Sequence, residues 1–575
     1  MMNRLLPVLL AALLVPHTGA AQAPYFEGAP GSQTLIVDGN PFLILGGETS
    51  NSAATSVHDI RSTDLFPKLR AMGLNTVLVP VYWDLTEPEE GRFDFTLVDT
   101  AIEEARRSGL RLVLLWFGAW KNSMSCYAPL WFKQDTRRFP RCRTSEGKPL
   151  EIASPFSEEV LEADSRAFSR LMAHLRETDS EEHTVIMVQV ENEIGMLEDA
   201  RDHSSEAERL FRRDIPRELG EYLASNAGNL HPRLAALWKQ AGGRTSGSWT
   251  EVFGEGLYTD EIFMAWHYAS YVESMILAGK DEYDLPMYVN AAMDSRGREP
   301  GEYPSAGPLA HLKDIWRCAA PDIALLAPDL YDSGYKDWLR RYDLEDNTLF
   351  IPEIRLEPDD GVRALYAFGE HDALGFSPFS IEDAPLPPQD YPLARSYGLI
   401  RQLMPLICAH RGSDDMRGVL FSQEDASDTL AFGDTRLLCS HFFTLPWDPR
   451  ATDGSVWPEG GAIVIRLAQD EFLIAGSGVV VEFRHEDELP SLAPASALGE
   501  DGFVRTGSSA DSRTPEWRKG AERLGIGFVD EVRVAPDGSL ESVRRLGGDQ
   551  SHQGRHARIG VGDYSILHVK LYRYR

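Results

Sequence analysis

Two carboxylates stand where their neighbours argue against them. Glu193 closes the apolar run "TVIMVQVENE" (184–193), and Glu353 sits inside "LFIPEIR" (349–355). A carboxylate withdrawn from water costs several kcal/mol unless it is paired or hydrogen-bonded, so two of them at the ends of apolar runs need a reason. One chemistry uses such a pair directly. A protonated carboxyl donates to a departing oxygen while an ionised one attacks carbon, which is what cleavage of a glycosidic bond requires. The like charge of Glu353 is expected to raise the pKa of Glu193 and keep it an acid near neutrality. Glu191 lies two residues before Glu193. Side chains at i and i+2 of a strand share a face. Gln189, Glu191 and Glu193 are therefore expected on one face, with Glu191 one layer deeper in a buried network.

Two residues so far apart in sequence need a frame that brings them together. Apolar runs alternate with amphipathic ones from about residue 40 to residue 385, and eight of them read as strands. They are 41–49, 75–83, 111–120, 184–193, 286–293, 322–331, 349–355 and 373–383. Helical stretches separate most of them, such as "DLFPKLRAMG" (64–73), "TLVDTAIEEARRSG" (96–109) and "SEEVLEADSRAFSRLMAHLRE" (157–177). Near-continuous apolar strands alternating with helices indicate a parallel sheet covered by helices, and eight such units indicate a (β/α)8 TIM barrel. Ends of the fourth and seventh strands then face each other across the barrel mouth. Long stretches after the third strand (121–156) and the fourth (194–285) belong on the same C-terminal rim. Beyond the Pro-rich "APLPPQDYPLA" (384–394) a last helix closes the barrel. From about 415 short alternating runs punctuated by Gly, Asp and Pro predict an all-β, sandwich-like domain. The expected division is a leader at 1–23, the barrel at 24–412 and the β domain at 413–575.

Three stretches, "VQVENEIG", "YWDLTEPEEGRFDF" (82–95) and "FIPEIR", resemble the family 35 glycoside hydrolases, the β-galactosidases of a retaining (β/α)8 clan. The β-rich tail resembles the accessory domain of a bacterial subgroup. The resemblance implies that Glu193 is the acid/base, that Glu353 is the nucleophile and that Asn192 hydrogen-bonds the sugar 2-hydroxyl. It also implies galactose in the pocket, with galactosyl side chains of plant xyloglucan oligosaccharides as substrate. This chain has Thr86 where the family usually shows His, and "GAWKN" where it usually shows Asn-Ala-Glu. Position suggests further candidates. Tyr331 ends the sixth run and is expected to bond Glu353. Asn290 and Glu48 stand between sugar contact and structural capping, and Trp83, Trp116 and Trp120 between core and sugar platform. Trp120 and Asn122 are retained as candidate sugar contacts. Two other readings remain open: a β-glucosidase or arabinosidase of the same clan, and a non-catalytic carbohydrate-binding protein.

Composition narrows the partners. Lys+Arg 57 against Asp+Glu 88 gives 57 − 88 = −31, a field that repels nucleic acid and anionic membranes. The substrate is therefore expected to be an oligosaccharide or polysaccharide, with no nucleic acid and no membrane after export. The first residues carry one Arg, an apolar run from Leu5 to Val15 and small residues from Gly19 to Ala23. That layout predicts a secretory signal peptide cleaved near 20–23, hence a periplasmic or extracellular protein. Among five cysteines, Cys126 and Cys142 are the expected pair, with Cys318, Cys408 and Cys439 as buried thiols. No metal-ligand spacing occurs in the sequence, and the chemistry requires no cofactor.

Overall fold

The computed structural model describes residues 22–575 except Thr63, Ser295 and 492–521, of which only the backbone of 497–498 and 504–505 is described. Residues 1–21 of the expected leader lie outside the described residues. Eight parallel strands form one sheet: β1 (Ile44–Leu45), β2 (Thr76–Tyr82), β3 (Arg111–Phe117), β4 (Val185–Gln189), β5 (Met287–Ala292), β6 (Leu325–Leu330), β7 (Ile351–Ile354) and β8 (Gly375–Pro378). Each pairs with its sequence neighbour, and β8 pairs with β1. The ring closes where Leu78 N donates to Gly47 O (2.9 Å) and Thr49 N to Leu78 O (3.1 Å). All seven residues of β2, "TVLVPVY", are buried, as expected of a strand covered on both faces.

A helix follows each strand: α1 (Leu65–Ala71), α2 (Thr96–Ser108), α3 (Glu158–Asp179), α4 (Leu257–Glu282), α5 (Lys313–Ala319), α6 (Tyr335–Tyr342), α7 (Asp360–Glu370) and α8 (Pro392–His410). The chain is a (β/α)8 barrel followed by an all-β domain. Local chemistry sets the helix starts. Ser157 caps α3 by accepting from Val160 N, with Glu158 and Glu159 in the first turn beside the positive end of the dipole. Pro392 opens α8, where its missing N–H costs nothing. In α4, a Cβ at Gly279 would lie 2.5 Å from the Phe168 ring, so glycine allows α4 to close on α3.

The stretches after β3 and β4 hold a hairpin (Arg141–Arg143 with Pro149–Ala153) and four short helices between 205 and 253. They are joined to each other. Arg143 N donates to Asp202 Oδ1, Ser145 N to Asp199 Oδ2 and His203 N to Arg143 O, all at 2.8 Å.

The β domain is two antiparallel sheets. Its strands are β9 (Met416–Phe421), β10 (Ser427–Phe432), β11 (Thr435–His441), β12 (Gly460–Ala468), β13 (Glu471–Ser477), β14 (Val479–His485), β15 (Arg523–Val534), β16 (Leu540–Leu546), β17 (Ala557–Ile559) and β18 (Ser565–Tyr574). The orders are β9-β12-β13-β18-β15-β16 and β10-β11-β14-β17. Phe421, Phe432, Leu437, Phe472 and Phe483 fill the space between them. The other face of the six-stranded sheet carries Leu420, Ile463, Ile465, Val532, Val534 and Ile566 into the barrel's own core. A Cβ at Gly418 would lie 2.7 Å from Glu370 N, so α7 rests directly on β9. Arg417 grips Glu370 with two bonds (2.7 and 2.8 Å), and Arg363 bonds Glu459 (2.8 Å).

The cysteine expectation fails. All five are free thiols; Cys126 is exposed while Cys142 is buried. Each Sγ faces its own carbonyl, Lys121 O for Cys126 and Ala153 O for Cys142. Cys439 is buried as expected, whereas Cys318 and Cys408 are half-buried.

Candidate active site

The site is assembled just beyond the strand ends, where the backbone leaves regular geometry. β4 stops at Gln189, and Glu191 (φ 59°) and Glu193 (φ 45°) both adopt the left-handed region. So do Asn122 (φ 51°) and Ser123 (φ 57°) after β3. Non-glycine residues pay for that conformation, and it persists only where surrounding contacts hold it. Here they do. Asn192 N donates to Trp120 O (3.3 Å), Asn122 N to Asn192 O (3.2 Å) and Ser123 N to Glu193 O (3.1 Å).

This geometry corrects the shared-face expectation. The left-handed step turns Glu191 away from Glu193 and back into the wall. Glu191 accepts from Trp120 N (2.8 Å) and Ala119 N (3.4 Å) and is hydrogen-bonded to Asp164 of α3. Asp164 in turn accepts from Trp116 Nε1 (3.0 Å), Ala119 N (3.2 Å) and Tyr271 OH (2.8 Å). Burial and the neighbouring Asp164 push Glu191 well above the usual carboxylate range, so the two acids share a proton. Glu191 is a buried network member, as expected, but for this reason.

Glu193 and Glu353 are both buried at the barrel mouth. Glu193 N donates to Asn290 Oδ1 (2.9 Å), and Asn290 Nδ2 donates to Asp329 Oδ2 (2.6 Å). Asp329 is the register partner of Glu353 across β6 and β7. Its carboxyl is held far above its ordinary range by burial and then by Glu353, Glu193 and Glu48, so it stays protonated and donates to Glu193. Asn122 Nδ2 also donates to Glu193 Oε2. Burial is the main cause that raises Glu193 to about 7, and the charge of Glu353 adds to it in the expected direction.

Glu353 receives a hydrogen bond from Tyr331 OH, as expected, and shares a proton with Glu48. Burial raises it, whereas the charge of Lys121 and these two bonds hold it down. Lys121 was not singled out from the sequence. It is buried, its ammonium 4.9 Å from the centre of the Phe117 ring, and its charge also acts on Glu48, Glu193 and Asp329. Its one visible signal was the departure from the family pattern at "GAWKN". Asp329 and Asp164 gave even less, since an acid in "APDLY" or within a helix reads as ordinary.

Each remaining candidate has a definite place. Asn192 is fully buried, and neither atom of its amide has a partner among the described residues. Buried amides are rarely left so, which marks it as aimed at a ligand. Asn290 and Asn122 bond protein acids and position Glu193. Glu48, bridging β2 and the end of β8, is buried beside Glu353. Tyr331 (39% exposed) and Asn122 lie at the open side. Trp120 contradicts its assignment as a sugar contact. It is 0% exposed, set edge-on against Tyr268 and Tyr271 under the rim, and has no face to offer. Trp83 and Trp116 are core as well, their indoles donating to Glu87 and Asp164. Away from the barrel, Asp434, His485 and Glu522 converge closely enough to hold an ion, but Arg573 occupies them, bonding Asp434 (2.7 and 2.9 Å) and Glu522 (3.1 Å).

The profile of Glycosyl hydrolases family 35 matches residues 34–227, which include β1 to β4 and Glu193. Over that stretch, about a third of its length, the chain is similar to family 35. A second profile, a domain of unknown function (DUF5597), matches 393–558 and thus begins with α8 rather than with the first strand of the β domain. A Beta-galactosidase of Xanthomonas manihotis is 36% identical over 116 residues, 19% of each chain. Beta-galactosidase-1-like protein 3 of Homo sapiens is 28% identical over 212 residues, 35% of this chain and 29% of that one. The matches thus span well under half the length of these two relatives. Among solved structures, a β-galactosidase from Bacillus circulans sp. alkalophilus aligns over 64% of this chain and 57% of its own, at 16% identity and a TM-score of 0.44.

Proposed function

We propose that the protein is an exported, retaining exo-β-galactosidase that removes terminal β-galactosyl residues from branched oligosaccharides. One observation carries the reading: two carboxyls are buried at one barrel mouth, and the charge of one raises the other. Burial raises both and Lys121 lowers both, but Glu193 is raised further by the charge of Glu353, to about 7, so Glu193 is the one that can hold a proton while Glu353 ionises. In the first step Glu353 attacks C1 and Glu193 protonates the departing oxygen. In the second, Glu193 takes a proton from water, which attacks C1 and frees the sugar with its configuration retained. Asn192, with its unpartnered amide, bonds the 2-hydroxyl. The joined stretches after β3 and β4 wall the leaving-group side and favour a branched aglycone over lactose.

The similarity of part of the chain to a Beta-galactosidase and to Beta-galactosidase-1-like protein 3 supports galactose in the pocket. The test is kcat/KM on nitrophenyl β-galactoside, β-glucoside and α-arabinoside, with lactose and galactosylated xyloglucan oligosaccharides alongside. Preference for the glucoside overturns the sugar; equal cleavage of lactose and the branched substrate overturns the specificity alone. Export is tested by sequencing the N-terminus of protein recovered outside the cytoplasm, which is expected to begin between residues 21 and 24.

A further inference from the structure

A second site lies at the far end of the β domain, away from the barrel. A groove of about 1030 Å³ opens between the two sheets, lined by the first residues of β15, the last of β18 and the loops around 446 and 554. It is larger than the roughly 300–1,000 Å³ of small-molecule pockets, which suits an extended ligand. Three large aromatic residues on it remain in solvent: Trp447 (51% exposed), Tyr572 (53%) and Tyr574 (40%).

Their setting is specific. Tyr572 faces Gly525 across the β15–β18 ladder, and a Cβ at Gly525 would lie 2.5–2.7 Å from the end of the ring. Glycine therefore leaves room for the end of the phenol ring over bare backbone, while the residue stays half exposed. Tyr574 follows on the same face of the strand, its ring centre 5.7 Å from that of Tyr572. The Trp447 indole is braced edge-on by His552 at 4.7 Å. These are fixed planar surfaces in water, where a folded protein gains nothing from leaving them.

A separate observation points to a ligand. His556 also lines the groove, is 3% exposed, and its Nε2 has no partner among the described residues. Burial and the nearby cations hold its pKa down to about 4, so the imidazole is neutral near pH 7. A buried neutral nitrogen without a partner is uncommon and costly, and a hydroxyl would complete it. Most charge on the wall is paired within the protein, with Arg484 bonding Glu482 at 2.7 Å and Arg523 bonding Glu488 at 3.1 Å, while Arg555 donates to the His552 imidazole at 2.9 Å. The groove thus offers flat apolar faces, a neutral hydrogen-bonding group and little unpaired charge.

We infer that this groove is a non-catalytic binding site for a neutral oligosaccharide chain, whose pyranose faces stack on Tyr572 and Trp447 while a hydroxyl reaches His556. The site is independent of the barrel chemistry and would tether the enzyme to a polymeric carbohydrate.

The experiment is affinity electrophoresis of the full chain in gels containing xyloglucan, galactan or mixed-linkage glucan. At least one polysaccharide is expected to retard it. The double variant Trp447→Ala, Tyr572→Ala is expected to lose the retardation at least tenfold, with kcat/KM on nitrophenyl β-galactoside unchanged within twofold. Trp447→Phe and Tyr572→Phe, which keep a ring, are expected to retain most of it and so exclude a folding defect as the cause. Absence of retardation in every gel overturns the inference, as does equal retardation of the wild-type chain and the double variant.

Discussion

At the scale of single residues, the site is a problem in placing protons among crowded acids. Glu48, Glu193, Asp329 and Glu353 share one mouth with one buried ammonium, Lys121. They cannot all ionise, and burial decides which stay neutral. The pH profile is the direct readout. The acid step needs protonated Glu193, so kcat/KM is expected to fall as pH rises above about 7. The attack needs ionised Glu353, so it also falls as pH drops below that group's raised value. Because the acids are coupled, the two limbs belong to the pair. Tyr331→Phe removes a bond that holds Glu353 down. A hydrogen bond to a charged group is worth about 1.5–3 kcal/mol, so the acidic limb is expected to move up by about one to two pH units. Lys121→Met removes a charge that lowers both acids, so both limbs move up together. A profile unchanged by either substitution would show that these contacts do not set the protonation states.

At the scale of elements, the strands were legible and the turns after them were not. All eight barrel strands lie within the apolar runs read from the sequence, because a strand buried on both faces leaves an uninterrupted signal. The stretch that aims Glu193 left no such signal, since Asn122, Ser123, Glu191 and Glu193 take a conformation their types do not announce. Period-two reasoning stopped being valid at Gln189, where β4 ends. Trp120 was misread for another reason: the residues covering it, Tyr268 and Tyr271, are about 150 positions away on α4. Gly118 tests how tightly this wall is built. A Cβ there would lie 2.3 Å from Trp116 Nε1 and 2.7 Å from the carboxyls of Asp164 and Glu191. Gly118→Ala is expected to cost about 1–3 kcal/mol by overpacking and to lower kcat at least tenfold by displacing Trp120 and the loop behind Glu193. Denaturant titration and steady-state kinetics check it, and a variant of wild-type stability would contradict the close packing.

At the scale of the whole molecule, barrel and sandwich share apolar core. Nine core side chains of the six-stranded sheet pack on the helix side, and α7 meets β9 too closely for any residue but glycine at 418. The texture change near 415 marked where regular β structure begins, but sequence texture could not show that the two parts are continuous inside. A chain ending at residue 412 would expose the faces of α7 and α8 to water. It is expected to be insoluble or molten, and the full chain to unfold in one cooperative transition by calorimetry. A soluble, fully active 24–412 fragment would show that the contact is dispensable.

In the proposed mechanism Glu353 is the group that forms a covalent bond to the sugar. The measurement is incubation of the full chain with 2-deoxy-2-fluoro-β-galactosyl fluoride, followed by mass spectrometry of its peptides. The expected result is one fluorosugar per chain, carried by the peptide that holds Glu353 and absent in Glu353→Gln. A stable adduct on Glu193 or any other residue, or rapid turnover to an α-configured product without an adduct, would contradict it.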